Sequence, residues 1–141
     1  MKAEQQIREI VEGWGQAIRA RDSRGLTANF ARDAVVFDLI TPLRYSGREG
    51  VEKRAAEWLA GFQGPVGYET RELTIHAGED AAFCHSLNHV NGTSTTGQPI
   101  DMWWRATVCF RKVNGNWQVA HEHSSVPFEM ESGKAALALK P

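Results

Sequence analysis

The chain has 141 residues, of which 42% are hydrophobic and 23% are charged, a composition typical of one folded globular domain and not of a disordered segment. Its 16 Lys and Arg residues nearly balance its 17 Asp and Glu residues, the formal net charge is -1, and no basic run stands out. This charge distribution argues against nucleic acid as a partner.

The first half of the chain carries mainly helical patterns. Apolar residues recur there at three- and four-residue spacing, which marks one face of a helix. Asp22 and Ser23 can cap a short second helix, and Gly64-Pro65 predicts the end of the third. The predicted elements are a helix over residues 3–21, a short helix over 22–33, a short strand over 35–38, a loop over 39–47 and a helix over 48–62.

The second half alternates polar and apolar residues with a period of two, which is typical of strands. Four long antiparallel strands are predicted, over residues 68–77, 81–90, 100–112 and 117–126. Asn114-Gly115 is a strong hairpin signal between the last two strands. The segment from about residue 129 to 141 lacks a clear helical pattern, and we expect a tail that lies on the surface or on a partner.

Helices, a short strand, another helix and then a strand meander are an α+β order, and we expect one domain over residues 1–141. A flat sheet of such long strands would leave a wide apolar face exposed. The sheet must therefore curl around the first and third helices, and the curl leaves an internal space where the helices do not reach.

Several motifs resemble a known family. They are WQVAHEHSSVPF over residues 117–128 after an Asn-Gly turn, LTANFARDAVVFD over 26–38, SGREGV over 46–51 and DMWWR over 101–105. This set is similar to SnoaL-like proteins of the nuclear transport factor 2-like superfamily. The resemblance implies a cone-shaped α+β barrel, a homodimer formed through the outer face of the sheet, and a pocket at the wide end. Its members include isomerases, cyclases, hydrolases, dehydratases, a kinase association domain and binding proteins.

Asp38 ends the first predicted strand, where a carboxylate can face the pocket. The matching position in the steroid isomerases of this superfamily resembles a general base, and Asp101 resembles their neutral, hydrogen-bond-donating acid. The tyrosine that completes their oxyanion hole is replaced here by Trp14, whose indole N–H can donate only a weaker bond. The alternative for Asp38 is a structural carboxylate that caps the loop or pairs with Arg44 or Arg48.

The third meander strand places Asp101, Trp103, Arg105 and Thr107 on one face by its period of two. This mixed polar face is predicted to line the pocket, whereas the apolar residues between them suit a dimer interface or another layer. The Arg105 guanidinium would bind a carboxylate or carbonyl oxygen of a ligand. The alternative is an internal ion pair of Arg105 with Asp101 or Glu122.

Two further strands offer ionisable groups. His85 shares a face with His89, and the kinase association domain has a pocket cation at the matching position, although a histidine in a strand can also be purely structural. On the last strand, either Glu122 or His121 and His123 can face the pocket. Glu122 would supply a second carboxylate, and His123 a ligand contact. We expect no metal site, because no second pair of ligands has suitable spacing.

The sequence therefore predicts a protein that binds a small molecule, either as an isomerase or lyase that works on a carbonyl compound without a cofactor or as a non-catalytic binding or association module. The catalytic candidates are Asp38 as base and His85 and Arg105 as polarising groups. The ligand-binding candidates are Trp14, Trp58, Asp101, Trp103, Glu122 and His123.

The expected location is the cytoplasm. The N-terminal segment carries charges throughout, unlike a signal peptide, and no stretch approaches the ~20 apolar residues that span a bilayer, so we expect no membrane partner. Cys84 and Cys109 each lie in an apolar, strand-like run without metal-ligand spacing, so two free thiols are expected.

Overall fold

The computed structural model describes residues 2–141 and confirms the α+β class. Three helices and two strands make up the first part of the chain, and four long strands follow. The elements are α1 (Ala3–Arg19), α2 (Ser23–Thr27), β1 (Phe30–Phe37), β2 (Tyr45–Ser46), α3 (Arg48–Ala60), β3 (Phe62–Ala77), β4 (Ala81–Ser94), β5 (Pro99–Val113) and β6 (Asn116–Ser125).

All six strands form one curved sheet in the order β2-β1-β6-β5-β4-β3. The pairs are antiparallel except β1 and β6, which run parallel. The sheet is not closed, because β2 and β3 lie at opposite edges and do not pair with each other. The predicted barrel is thus an open, curled sheet with the helices on its concave side.

Two predicted boundaries are wrong. The second helix ends at Thr27, and Phe30 begins β1, because the buried side chain of Phe30 joins the core of the sheet. The third helix ends at Ala60, and Gly64-Pro65 lies within β3 instead of after a helix. The β3–β4 register shifts between Gln63 and Gly67, which accommodates a proline that cannot donate a ladder hydrogen bond.

The last hairpin follows the sequence closely. Asn114 and Gly115 both have positive φ, 51° and 81°, as a type I′ turn requires, and Val113 pairs with Asn116 on either side. A β-bulge interrupts β6 further along, since Cys109 pairs with His121 while Phe110 pairs with Val119. Ala120 is the extra residue, and it changes which side chains face inward beyond this point.

The core lies between the concave side of the sheet and α1. Ile7, Val11 and Ile18 recur along one face of α1 and are buried, as the helical spacing predicts. The buried residues divide into two groups: Ile7 and Val11 pack with β1 and β6, whereas Ile18 packs with Leu59 and Val90. Space remains between these two groups.

The C-terminal tail makes a tight turn on the surface, with Phe128 bridged to Ala135 and both Leu137 and Leu139 half exposed. Both cysteines are free thiols, with Cys84 buried and Cys109 half-buried. Within residues 2–141, none of the helices is both long enough and apolar enough to cross a bilayer.

Candidate functional site

A cavity of about 180 Å³ opens on the concave side of the sheet, between β-strands and the helices α1, α2 and α3. Its floor includes one row of small residues across three strands, because Ser124 pairs with Ala106 and Ala106 pairs with Ser86. Larger side chains in this row would fill the space. The cavity therefore exists because small residues occupy the centre of a curved sheet.

Aromatic side chains supply much of the cavity wall. Trp58 packs edge to face against Trp104 at a ring-centroid distance of 6.2 Å, and Tyr68 lies 6.0 Å from Trp104. Trp14 stacks on Phe110 at 6.1 Å, and its Nε1 is buried without a hydrogen-bond partner among the described residues. The aromatic residues that line the cavity are Trp14, Phe30, Tyr45, Trp58, Tyr68 and Trp104.

Asp38 is held on both of its carboxylate oxygens. Its Oδ1 accepts a hydrogen bond from the backbone N–H of Leu39 at 2.7 Å, and its Oδ2 lies 3.1 Å from Nε of Arg54. The Arg54 Nε is buried and is not aligned for a hydrogen bond, so this contact is an ion pair. Both side chains are mostly buried, and both line the cavity.

Glu122 is the second carboxyl group that faces the cavity. Its pKa is raised from 4.5 to about 7. Burial is the main cause, the negative charge of Asp38 adds to it, and a hydrogen bond with Ser124 opposes both effects. The register places Glu122 opposite Val36 of β1, two residues before Asp38. The cavity thus holds one fixed carboxylate and one carboxyl group that can gain or lose a proton near neutral pH.

Two further groups in the wall, Cys84 and Tyr68, have raised pKa values. Burial raises the pKa of the Cys84 thiol to about 12, with a contribution from Glu122, so this thiol is a poor nucleophile. Burial also raises the pKa of the Tyr68 hydroxyl well above its usual value. Neither group can serve as a base at neutral pH, which leaves the two carboxyl groups for that role.

A neutral polar pair completes the sheet side of the cavity. Asn88 is buried, with 8% of its surface exposed, and its Oδ1 accepts a hydrogen bond from Oγ of Ser86 at 3.0 Å. Asn88 pairs across the sheet with Thr70 and with Trp104. All four residues line the cavity.

Four of the predicted site residues line this cavity, namely Asp38, Trp14, Trp58 and Glu122. They come from four different elements or their ends, which the curl of the sheet brings together. The sequence left the inward face of β6 undecided, and the structure places Glu122 and Ser124 inside. The bulge at Ala120 makes this possible while Trp117 and Val119 remain in the core.

The structure corrects the prediction of which face of β5 lines the pocket. Asp101, Trp103 and Arg105 lie on the outer face of the sheet, because the cavity is lined instead by the alternate set, Met102, Trp104, Ala106 and Val108. Arg105 donates from Nε to Oγ of Ser125 at 3.1 Å and forms no ion pair with Asp101 or Glu122. The apolar set faces inward since burying it excludes the most nonpolar surface from water.

His85 and His123 also lie on the outer face, on strands whose inward residues include Cys84 and Glu122. Both histidines are exposed. The same face carries the remaining histidines, so that all five lie outside the cavity: His76, His85, His89, His121 and His123.

One of these histidines belongs to a polar cluster on the outer face. His89 contacts Oε1 of Glu69 through Nδ1 at 3.1 Å and Oδ1 of Asp101 through Nε2 at 2.7 Å. Its ring stacks on Trp103 at 4.5 Å, and the Arg71 guanidinium lies 5.1 Å from the same indole. Asp101 and Trp103 therefore have structural partners on this face.

The sequence analysis missed Arg54, Ser86 and Asn88. Arg54 does carry a signal, since it lies three residues after Val51 and four before Trp58, on the apolar face of α3. A charged residue on an otherwise apolar helical face indicates a buried partner. Ser86 and Asn88 alternate on β4 with the outward-facing residues His85, Leu87 and His89, and only the inward set as a whole identifies them.

Comparison with known proteins confirms the predicted resemblance. The model of the SnoaL-like domain family matches residues 7–129. An NTF2-like protein of unknown function from Pseudomonas putida KT2440 is 39% identical, covers 99% of this chain and 96% of its own, and superposes with a TM-score of 0.89. No curated protein sequence matches the chain.

Two more distant structures share the fold. A candidate calcium/calmodulin-dependent protein kinase II association domain from Xanthomonas campestris is 18% identical over 92% of this chain and 91% of that chain, with a TM-score of 0.77. A hexachlorocyclohexane dehydrochlorinase is 15% identical over 86% of this chain and 83% of that chain, with a TM-score of 0.75. At these identities the likeness concerns the fold alone.

Proposed function

Because this chain belongs to the SnoaL-like domain family, we propose that its cavity binds a compact organic molecule and transfers a proton on it, with Glu122 as the group that gains and loses the proton. The observation that carries this proposal is the pairing of two unlike carboxyl groups in one enclosed space. Separated proton affinities of neighbouring acids are a common arrangement for acid–base catalysis.

The size of the cavity limits the substrate. An apolar cavity of about 150 Å³ can hold benzene, so 180 Å³ suits a molecule with one ring or a short branched chain. Aromatic and aliphatic walls favour an apolar body, whereas the few polar groups would orient it. We propose a monocyclic or similarly compact carbonyl compound as the substrate class.

The contacts of the two carboxyl groups favour Glu122 over Asp38 as the acid–base group. Asp38 is engaged on both oxygens, by Arg54 and by the backbone N–H of Leu39, so both oxygens already have partners within the protein. Glu122 has a pKa of about 7, so both of its forms are present near neutral pH. Asp38 still takes part in the proposed chemistry, because its negative charge raises the pKa of Glu122.

The proposed step conserves protons within the site. Ionised Glu122 removes a proton from the carbon next to the carbonyl, which gives an enolate. Protonated Glu122 then returns the proton to the same carbon or to another one, which gives exchange or isomerisation. If the enolate instead expels a leaving group at the β-carbon, the reaction is an elimination. The dehydrochlorinase among the structural neighbours is an elimination enzyme by name.

Hydrogen–deuterium exchange of a simple ketone tests this proposal without knowledge of the natural substrate. The methyl protons of acetophenone in D₂O are followed by ¹H NMR with wild-type protein, and we expect exchange above the buffer rate. Glu122→Gln should lower the enhancement about 100-fold or more, since general acid–base catalysis contributes on that order. Asp38→Asn should lower it less.

The control is His85→Ala, on the outer face, which should leave the exchange rate unchanged. Equal rates for wild type and Glu122→Gln would remove Glu122 from the mechanism. The absence of exchange together with saturable acetophenone binding would instead support the second candidate, a non-catalytic binding module of the same fold.

A further inference from the structure

The cavity has a second polar end that the proton-transfer chemistry does not use. We propose that Asn88 is a specificity-determining residue whose NH₂ group binds an acceptor oxygen of the ligand, at the end of the molecule remote from Glu122. The proposal deepens the proposed function and rests on it only in placing the ligand in this cavity.

The hydrogen bond from Ser86 fixes how Asn88 presents its amide. Because Ser86 Oγ donates to Asn88 Oδ1 at 3.0 Å, the acceptor side of the amide is occupied and the NH₂ side is left to donate. Asn88 is more than nine-tenths buried and lines the cavity. The NH₂ group makes no hydrogen bond among the described residues and is not fully enclosed by protein atoms, so it is open to the cavity, and a ligand oxygen there would accept a hydrogen bond from it.

The register of the sheet separates this donor from Glu122. Glu122 pairs with Val108, and Val108 pairs with Cys84, so Asn88 lies two strands away and four residues further along β4. Four residues of strand span about 13 Å and two strand spacings about 10 Å, so the backbone positions are about 16 Å apart and the two side chains bridge part of that distance. One atom of a compact ligand cannot touch both groups, whereas the two ends of a para-substituted ring can.

The surroundings of Asn88 favour a ring in this position. Trp104 is its direct cross-strand partner, and Tyr68 and Trp58 pack against Trp104 at 6.0 and 6.2 Å. An aromatic wall of this kind binds a flat apolar body. The ligand class that fits is therefore a compact aryl carbonyl compound that carries a second acceptor oxygen opposite the carbonyl.

A pair of ligands of nearly equal shape tests the subsite by binding alone. 4-Methoxyacetophenone and 4-ethylacetophenone differ at the para position by an oxygen in place of a methylene. Their dissociation constants are measured by ligand-observed NMR for wild type and for Asn88→Leu. We expect the preference for the methoxy compound, expressed as the ratio of the two constants, to fall about 3- to 10-fold in the variant, as loss of one hydrogen bond implies.

Further variants keep the test decisive. Asn88→Asp retains the size of the side chain but replaces the donor by an acceptor, so it should lower the same ratio even if Asn88→Leu does not fold. His85→Leu, on the outer face of the same strand, should leave the ratio unchanged. An unchanged ratio in folded Asn88→Leu and Asn88→Asp would overturn the proposal.

The subsite and the proposed reaction can fail separately. Glu122→Gln should abolish ketone exchange and leave the ratio of the two dissociation constants intact. If wild type shows no exchange but Asn88→Leu still lowers the ratio, the subsite stands and the reaction is wrong. If exchange requires Glu122 but substitution of Asn88 leaves the ratio of the two dissociation constants unchanged, the reaction stands and the subsite is wrong.

Discussion

Glu122 is a carboxyl group in an environment that differs strongly from water. Its pKa of about 7 arises because a carboxyl group next to another carboxylate, inside a largely apolar cavity, prefers its neutral form. Ionisation of Glu122 above neutral pH therefore lowers the free energy of unfolding. Such a group links the stability of the fold to the proton concentration.

The free energy of unfolding should fall as the pH rises from about 4.5 to 7. In this range the folded chain retains the proton of Glu122 while the unfolded chain has released it, so raising the pH favours the unfolded state. At roughly 1.4 kcal/mol per pKa unit, the stabilisation is fully present well below pH 4.5, and roughly 3–4 kcal/mol of it is lost once the pH is well above 7.

Urea unfolding of wild type and Glu122→Gln at pH 5 and pH 8 measures this effect. Glutamine cannot ionise, so the variant should gain roughly 2–3 kcal/mol relative to wild type between the two pH values. Other titrating groups act on both proteins and cancel in the difference. Parallel pH profiles for the two proteins would show that Glu122 titrates normally.

At the scale of single residues, the sequence predicted the types of group in the cavity better than their roles. Asp38, Glu122, Trp14 and Trp58 were all expected there. The ion pair with Arg54 was not, because the partner lies on a helix whose packing against the loop after β1 depends on tertiary structure. That ion pair is what shifts the proposed acid–base role from Asp38 to Glu122.

At the scale of elements, the division of β5 into two faces was predicted correctly, but the wrong face was assigned to the cavity. The sequence analysis placed the mixed polar set of β5 in the pocket, on the assumption that a site needs charged groups. In a sheet with one buried face, the alternate residues that are all apolar are expected to face inward. On β5 these residues are Met102, Trp104, Ala106 and Val108. The polar groups of the cavity come instead from α3, β3, β4, β6 and the end of β1.

The bulge at Ala120 explains why β6 could not be assigned by parity. Trp117 and Val119 are buried before the bulge, whereas Glu122 and Ser124 face inward after it. A regular period of two would put only one of these pairs inside. No residue near Ala120 is a glycine or another strong bulge signal, so the change of face had no visible cause in the sequence.

Asp22 offers a prediction for a single element. Its side chain accepts a hydrogen bond from the backbone N–H of Gly25 at 3.0 Å and caps α2. Asp22→Ala should cost about 1 kcal/mol of unfolding free energy, which is about 4 °C in Tm for a chain of this size. Asp22→Asn retains an acceptor and should stay close to wild type in a thermal melt; an equal loss in both variants would exclude capping as the cause.

At the scale of the whole molecule, the cavity depends on the small residues at the centre of the sheet. Ala106→Leu should fill this space and lower the affinity for acetophenone about 10-fold or more, while the unfolding free energy changes by less than about 1.5 kcal/mol. Thr107→Leu adds similar bulk to the outer face next door and should leave the affinity unchanged. Binding by Ala106→Leu at wild-type strength would place the ligand elsewhere.

The overall architecture was largely predictable, since helical and strand periodicities follow each other in the order that the structure has. The cone-shaped barrel that the resemblance implies is here a curved sheet that is not closed, because β2 is only two residues long and lies at the edge opposite β3. Such a short strand within the loop after β1 leaves no periodic pattern. The cavity itself follows from curvature, which is a property of the assembled sheet.

The positions of the five histidines allow one surface of the molecule to be labelled chemically. Every histidine lies on the convex side of the sheet and none on the cavity side, so acylation with diethyl pyrocarbonate, followed by peptide mass mapping, labels one surface selectively. Exposed rings such as His85 should react readily in an isolated subunit and become protected wherever another molecule covers that surface. Association through the convex side can in this way be detected independently of anything that occupies the interior.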